Sequence, residues 1–224
     1  RPGPELTAAL QTDPAGLVGQ DVEAGLLGAV WADNHAAWAR CRWLLEASRA
    51  RAGTTRRVLD DARGALTVAA ALRWSPSMAA ARVEFARQIL ERLPALGEAM
   101  RAGWLEEREA GVYVTLLREL DDAQARRVVE LLLEGTPQWT HAELTGQVEK
   151  TAAAIDPGWA EARRAAAVAR ARVVARSAPS GAAELCGYDL PEDLALEAHS
   201  HVVALADAVV ALVRGRGGEI GQGF

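Results

Sequence analysis

The sequence contains little cysteine and few aromatic residues. Its 224 residues include two cysteines, and aromatic residues make up 5 % of the chain. Cys41 and Cys186 lie far apart without a C-x-x-C spacing, which excludes a disulfide framework and gives no sign of a zinc site. Two thiols in a chain of this size are typical of a reducing compartment, so we expect a cytoplasmic protein.

Long apolar runs are missing as well. No stretch approaches about 18 uninterrupted apolar residues, and the N-terminus lacks the pattern of a signal peptide. We therefore expect no membrane association. The apolar half of the sequence is dominated by alanine, with leucine and valine, and this composition favours closely packed helices.

Motifs for catalysis are also absent from the sequence. There is no G-x-S-x-G elbow, no Walker A sequence and no G-x-G-x-x-G. His199 and His201 point to nearly opposite sides of a predicted helix, and His35 and His141 belong to no spacing typical of metal ligands. We therefore expect no catalytic residue, no metal site, no cofactor and no small-molecule substrate in this chain.

The charge balance limits the possible partners. Lys150 is the only lysine among 25 basic residues, and 30 acidic residues bring the net charge to −5. Such a chain is not a nucleic-acid-binding polycation, so any contact with DNA has to come from a local positive surface. The arginines form two groups in the sequence, one from Arg40 to Arg57 and one from Arg163 to Arg176.

The stretch from Ala65 to Leu93 predicts a short helix, a turn and a longer helix. Ser75 is suited to cap the second helix, and Pro76 fits its first position, where the missing N–H costs nothing. Two helices joined by such a turn are the layout of a helix-turn-helix unit. An ordinary helical hairpin in an all-α core fits the same pattern, and the sequence does not decide between them.

Most of the remaining sequence also predicts helices. We expect them from Asp21 to about Ala52, from Thr54 or Thr55 through Arg63, from Pro94 with a break near Gly103, from Asp121 or Asp122 to Gly135, from Thr140 with Glu143 in a capping box, after Asp156-Pro157, and after Pro191. On the first of these helices, Trp31 and Trp38 share one face and Trp43 points away. That face is either packed in the core or forms a seam between helices, and a seam would imply self-association.

One region differs in character. The β-branched Val173 and Val174 precede a Pro179-Ser180-Gly181 turn and a second short run, which predicts a small β-hairpin near residues 172–188. The predicted fold class is therefore mainly α, a multi-helix bundle with a helix-turn-helix-like hairpin and one β-hairpin. We expect a flexible lead-in over 1–19, a single helical domain over 20–217 and a tail over 218–224.

Four segments together resemble a known protein family. They are residues 68–105, with LRWSP and the LERLP-to-AGW stretch, the LDDAQARRVVELLL run, ARRAAAVARARV, and SGAAELCGYDLPED. In this order and spacing they resemble the actinobacterial family called domain of unknown function 222, or the 13E12 repeat family, from about Asp21 to Gly217. The domain of that family commonly precedes an HNH endonuclease domain, in which paired histidines and an asparagine bind a divalent metal.

The resemblance implies a non-catalytic N-terminal accessory domain of an HNH-endonuclease-type protein. Any divalent metal would then belong to an HNH domain that this chain does not contain. The full-length protein would be an HNH endonuclease, and the role of this chain would be to bind DNA or to target the protein to it.

We predict the DNA-binding residues from two sets of side chains. The second helix of the 65–93 stretch offers Ser77, Arg82, Arg87 and Gln88 at positions that we expect to be exposed, and arginine and glutamine can read guanine and adenine edges. The second arginine group offers Arg163, Arg164, Arg170 and Arg172, where only Glu161 offsets the charge nearby. The alternatives are a solvated helix face, and a structural or oligomerisation module without DNA contact.

Overall fold

A computed structural model of the chain describes residues 2–49, 61–178, 181 and 183–220. The chain divides into two compact units, Arg1–Trp159 and Ala160–Phe224. The expectation of one domain over 20–217 stays a prediction. Each unit is described by itself below.

The first unit is built from helices. They are α1 (Pro4–Ala9), α2 (Gln20–Arg49), α3 (Asp61–Leu72), α4 (Pro76–Arg87), α5 (Pro94–Ala102), α6 (Glu107–Leu116), α7 (Asp122–Leu132), α8 (His141–Ile155) and the start of α9 (Trp159–Val168). The lead-in thus contains α1 and a short 3-10 turn at Pro14–Gly16. The helix predicted to begin at Thr54 or Thr55 falls partly on residues 50–60, which lie outside the described residues.

The second unit contains the rest of α9, the strands β1 (Arg172–Ser177) and β2 (Ala183–Tyr188), and a long final helix, α10 (Glu192–Ile220). The strands pair antiparallel, with Arg172 opposite Tyr188 and Arg176 opposite Glu184. The mainly α fold with one small β-hairpin near 172–188 is therefore confirmed. Pro179 and Ser180 of the predicted turn, and residues 221–224 of the predicted tail, lie outside the described residues.

The turn between α3 and α4 follows the sequence prediction. The Ser75 hydroxyl accepts a hydrogen bond from the Met78 N–H at 3.2 Å, and Pro76 occupies the first turn of α4. Arg73 has a φ of 56°, so the chain leaves α3 through a left-handed residue, as helix ends commonly do. These local features fix a tight hairpin, and α4 buries Ala79, Val83 and Ala86.

Regular α-helix does not continue from α4 into α5. Residues Gln88–Arg92 form a π-helical turn, in which the Leu93 N–H donates to the Gln88 carbonyl at 2.8 Å. Such turns contain i→i+5 hydrogen bonds and are rare outside single-turn insertions. Pro94 then begins α5, as the sequence predicts.

The predicted break at Gly103 is confirmed, and the structure gives its cause. Gly103 has a φ of 94° and ends α5 in the left-handed region. A Cβ at this position would lie 2.9 Å from the Trp31 carbonyl oxygen on α2. The buried Asn34 side chain donates to the Gly103 carbonyl at 2.8 Å, so the corner is fixed against α2 by both shape and hydrogen bonding.

The cap predicted for α7 and the capping box predicted for α8 are both present. Asp121 caps α7, with Gln124 closing the box, and Thr140 caps α8 with Glu143. After Leu132, however, the chain continues as a 3-10 helix, Leu133–Gln138, instead of remaining α-helical to Gly135. Within that turn, the buried Thr136 hydroxyl donates to the Leu132 carbonyl and accepts from the Tyr113 hydroxyl at 2.7 Å.

The core of the first unit consists of small and aliphatic side chains. Fully buried examples are Ala79, Ala86, Ile89, Leu96, Met100, Leu105, Ala110, Tyr113, Leu117, Ala125, Val128, Val148 and Ala152. Trp38 packs against this core, whereas Trp31 is 39 % exposed and Trp43 is 76 % exposed. The prediction of core packing is therefore correct for Trp38, and Trp31 remains at the surface.

Two buried ionisable groups predict how stability depends on pH. Burial raises the pKa of the Cys41 thiol from 9.0 to about 11, and burial raises the pKa of Tyr113 from 10.0 to about 12. The unfolded chain therefore loses these protons at lower pH than the folded chain does. The free energy of unfolding should hold up to about pH 9 and fall between pH 9 and 12.

Urea unfolding measured from pH 8 to 12 checks this expectation. Cys41→Ala should flatten the fall between pH 9 and 11, and Tyr113→Phe should flatten it between pH 10 and 12. Cys186→Ala serves as the control, because Cys186 lies on the β-hairpin outside this core. An equally steep fall in all four proteins would contradict the assignment.

Candidate nucleic-acid interface

The candidate residues on α4 and at the start of the π-helical turn form intramolecular contacts. Ser77 is exposed, and its hydroxyl lies 3.2 Å from that of Ser75. Arg82 is exposed and forms an ion pair with Glu107. Arg87 and Gln88 are half-buried instead of exposed as predicted, and both donate to Glu84, at 2.5 and 2.7 Å. Only Ser77 and Arg82 of the four therefore stand fully on the surface.

Glu107 explains why Arg82 is less available than its exposure suggests. Its carboxylate also accepts a hydrogen bond from Arg40 on α2 at 2.5 Å, so one acidic side chain at the start of α6 joins α2, α4 and α6. Pairs with half-exposed arginines are worth about 1 kcal/mol or less. A phosphate could therefore compete for either guanidinium, but it would have to displace Glu107.

Arg92, in the π-helical turn, has a structural role instead. Its side chain is 12 % exposed, and its guanidinium pairs with Asp122 at 2.8 Å. It also donates to the carbonyls of Leu117 and Leu120, at 3.0 and 2.5 Å. These carbonyls follow the end of α6, where backbone acceptors lack helical partners. Arg92 therefore donates hydrogen bonds to the backbone carbonyls of the α6–α7 connection and is not a candidate for DNA contact.

The described arginines of the first group also form contacts within the protein. Arg49 pairs with Glu91, and Arg42 lies over the Trp38 ring at 5.0 Å. Arg42 also lines a cleft of about 530 Å³ whose wall includes three glutamates. Carboxylates repel phosphate, so this face does not suit a nucleic-acid backbone. Arg51, Arg56 and Arg57 lie outside the described residues.

The second arginine group has a different environment. Arg164 and Arg170 are exposed and Arg163 is half-buried, and Arg164 pairs with Glu161 one turn away at 3.1 Å. Residues 160–177 contain five arginines and one glutamate, a net charge of +4, and the rest of the chain carries −9. The positive charge of the second unit is therefore concentrated in α9 and β1.

The β-hairpin presents part of this charge on one face. Because side chains of directly paired residues point to the same side of a sheet, Arg172, Arg176 and Tyr188 share a face. The Arg172 guanidinium lies 4.7 Å from the centre of the Tyr188 ring, and Arg176 donates to the Tyr188 hydroxyl at 2.8 Å. Arg176 also pairs with Glu184 at 3.4 Å. Arg172 is thus held by the ring without a carboxylate partner among these contacts.

The sequence places Arg176 in the second arginine group, but it does not single out Arg176 or Tyr188 as a DNA-contacting residue. Strand alternation in the sequence is enough to place Arg172 and Arg176 on one face. It does not give the register of the partner strand, and therefore does not place Tyr188. The register that pairs Arg172 with Tyr188 comes from the structure. The three side chains form what we call the arginine ribbon: Arg172, Arg176 and Tyr188.

The histidines, cysteines and carboxylates of the described residues form no metal-binding cluster. Among them, no group of three or more histidine, cysteine, aspartate or glutamate side chains is placed to hold a metal ion. His35 donates from Nδ1 to the Arg101 carbonyl at 2.7 Å, which is a structural contact. Burial keeps the Cys41 thiol protonated, since it raises the pKa to about 11.

None of the described helices combines the length and the apolar character that a membrane crossing requires.

These features define a mainly helical module with one exposed antiparallel ribbon. Residues 29–213 match the protein family described as a domain of unknown function, DUF222, and the chain belongs to that family. No curated protein and no solved structure matched the chain. The match covers both structural units.

The distinction between structural and available arginines can be tested by stability. Arg92→Ala should lower the free energy of unfolding by about 2–3 kcal/mol, because it removes the donor to the Leu120 carbonyl, a second donor to the Leu117 carbonyl and the ion pair with Asp122. Arg82→Ala should cost less than about 1 kcal/mol, because its guanidinium is half-exposed and its ion pair is partly solvated. Urea denaturation of both variants against the parent measures the difference, and equal losses would refute the structural role of Arg92.

Proposed function

We propose that this chain is a non-catalytic DNA-binding or DNA-targeting accessory domain of an HNH-endonuclease-type protein, acting in the cytoplasm. The observation that supports it best is the separation of charge. Residues 160–177 carry +4 within a chain of net charge −5. Such a local surface attracts the phosphate backbone even when the whole protein is acidic.

The arginine ribbon suits this role in shape as well as charge. A two-stranded β-ribbon fits the major groove of B-DNA, where its side chains reach phosphates or base edges. Arginine can form bidentate hydrogen bonds to phosphate or guanine, and Tyr188 restrains the Arg172 guanidinium. Arg163 and Arg164 on α9, and Arg170 in the turn that follows it, would add phosphate contacts that are independent of sequence.

The α3–α4 hairpin has a smaller part in the proposal. Its tight turn and capped second helix have the layout of a helix-turn-helix unit, but Glu107 and Glu84 pair with its arginines. We propose that α4 positions DNA through Ser77 and Arg82, and that the second unit supplies most of the affinity. The link to an HNH nuclease rests on the family resemblance alone, and any divalent metal would belong to that nuclease domain.

DNA binding can be tested by fluorescence anisotropy with a short duplex over a range of salt concentrations. Arg163→Glu combined with Arg164→Glu should weaken binding by about tenfold or more at low salt. It should also reduce the slope of log affinity against log salt by about 1 to 2, because phosphate contacts are lost. The parent should lose affinity steeply as salt rises.

Arg101→Glu combined with Arg127→Glu is the matched control for this experiment. These two arginines are exposed on α5 and α7, and each pairs with a glutamate one turn away. The control changes the net charge by the same amount as the Arg163→Glu and Arg164→Glu double variant. It should bind nearly as well as the parent. Equal weakening by both double variants, undetectable binding by the parent, or binding that does not depend on salt would overturn the proposal.

The absence of catalysis in this chain is also testable. Plasmid DNA incubated with the purified chain and Mg²⁺ or Mn²⁺ should remain supercoiled over hours. Nicking that co-purifies with the protein and is abolished by a chelator would show that the chain itself is a nuclease. Nicking that is lost on further purification would indicate a contaminant.

A structural or oligomerisation role without DNA contact is the alternative function. The exposed Trp31, together with Leu26 and Leu27 at 66 % and 58 % exposure, leaves apolar surface on α2. The seam through Trp31 and Trp38 stays a prediction.

A further inference from the structure

The helix α10 exposes more apolar surface than a helix in water normally does. Within its described side chains, six large aliphatic residues are 44–68 % exposed: Leu194, Leu196, Val202, Val203, Leu205 and Val210. Clustered apolar side chains on a helix normally face a core or a partner in the working protein. This surface therefore needs a partner.

The sequence of α10 indicates the kind of partner. Apolar residues follow an unbroken three-four spacing at Ala195, Ala198, Val202, Leu205, Val209 and Leu212. The positions opposite this line are all polar: Asp193, Ser200, Asp207 and Arg214. This is a heptad pattern with apolar a and d positions and polar f positions, which is the pattern of a coiled coil.

The residue types at the a and d positions indicate how many helices pair and in which orientation. Val202 and Val209 occupy a positions, and Leu205 and Leu212 occupy d positions. β-branched residues at a with leucine at d favour two parallel strands. An alternative line with the same three-four spacing runs through Leu196, Val203 and Val210. The polar His199 lies between Leu196 and Val203 on that line and interrupts it. The a/d line is therefore the better seam.

We propose that α10 is a self-association surface, through which two copies of this chain pair in parallel and in register. A seam of six apolar positions on each helix buries on the order of 1,000 Å² over two copies, the lower limit for a specific interface. The dimer should therefore dissociate on dilution. The proposal does not depend on DNA binding.

Parallel pairing has a topological consequence for the second unit. β2 ends at Tyr188 and α10 begins at Glu192, so only three residues separate the hairpin from the helix. Both hairpins of a parallel dimer then lie at the same end of the paired helices. An antiparallel pair would hold them about 40 Å apart, the length of a helix of this size.

Two adjacent valines provide a matched test. Val202 and Val203 are 49 % and 44 % exposed, but they lie at an a and a b position, about 100° apart around the helix. In sedimentation experiments on the whole chain, Val202→Glu should raise the dimer dissociation constant about tenfold or more, because it places two like charges in the seam. Val203→Glu should leave it nearly unchanged, and both variants should keep the parent's circular dichroism at low concentration.

Cross-linking tests the orientation without relying on a disruptive variant. In a Cys186→Ser background, Leu205→Cys should form a disulfide-linked dimer under mild oxidation, because d positions face each other in a parallel pair. Ala204→Cys, at a c position, should not. The proposal would be overturned by a monomer at every concentration, by equal effects of the two valine variants, or by failure of the position-205 cross-link. Dissociation of the dimer by Trp31→Ala would also overturn it, because that result would place the interface on α2.

Discussion

Close approach of helices through buried alanine is the constraint on which the first unit depends. Ala79 and Ala86 on α4, Ala110 on α6, Ala125 on α7 and Ala152 on α8 are all completely buried. A larger side chain at these positions would have to push a neighbouring helix away, because protein interiors contain few voids to receive it. Small residues at the contacts leave the aliphatic and aromatic side chains to fill the remaining space. The same closeness brings polar groups such as Asn34 within reach of a neighbouring helix backbone.

Arginine has two roles in this protein, and the neighbouring carboxylates decide between them. In the first unit Glu84, Glu91 and Glu107 each take up at least one guanidinium, and Arg92 is drawn inward to satisfy backbone carbonyls. In residues 160–177 Glu161 is the only acidic residue, so the positive charge of the arginines is not cancelled within that segment. The overall charge of the chain therefore conceals two regions of opposite character. This separation of charge is the main physical support for the proposed DNA contact.

The sequence predicted those parts of the structure that depend on neighbouring residues. Ser75 with Pro76, and Thr140 with Glu143, are signals within one helical turn, and both caps formed as expected. The candidate site depended on more distant residues. Arg87 and Gln88 are half-buried, and both donate to Glu84 one turn earlier instead of facing solvent. The pairing of Arg82 with Glu107 and of Arg172 with Tyr188 required the tertiary arrangement and the strand register, neither of which periodicity supplies.

The π-helical turn also gives the chain a place where its length can change. A π-helical turn holds about one residue more than an α-helical turn, so its residues advance by about 80° each instead of about 100°. The five residues Gln88–Arg92 therefore turn the chain by nearly the same angle as four residues of regular α-helix. Removal of one of them would let a regular helix form and would leave α5 facing α2 nearly as before. Natural variation in length should therefore be tolerated in this turn more readily than inside α4 or α5, as long as Arg92 is kept.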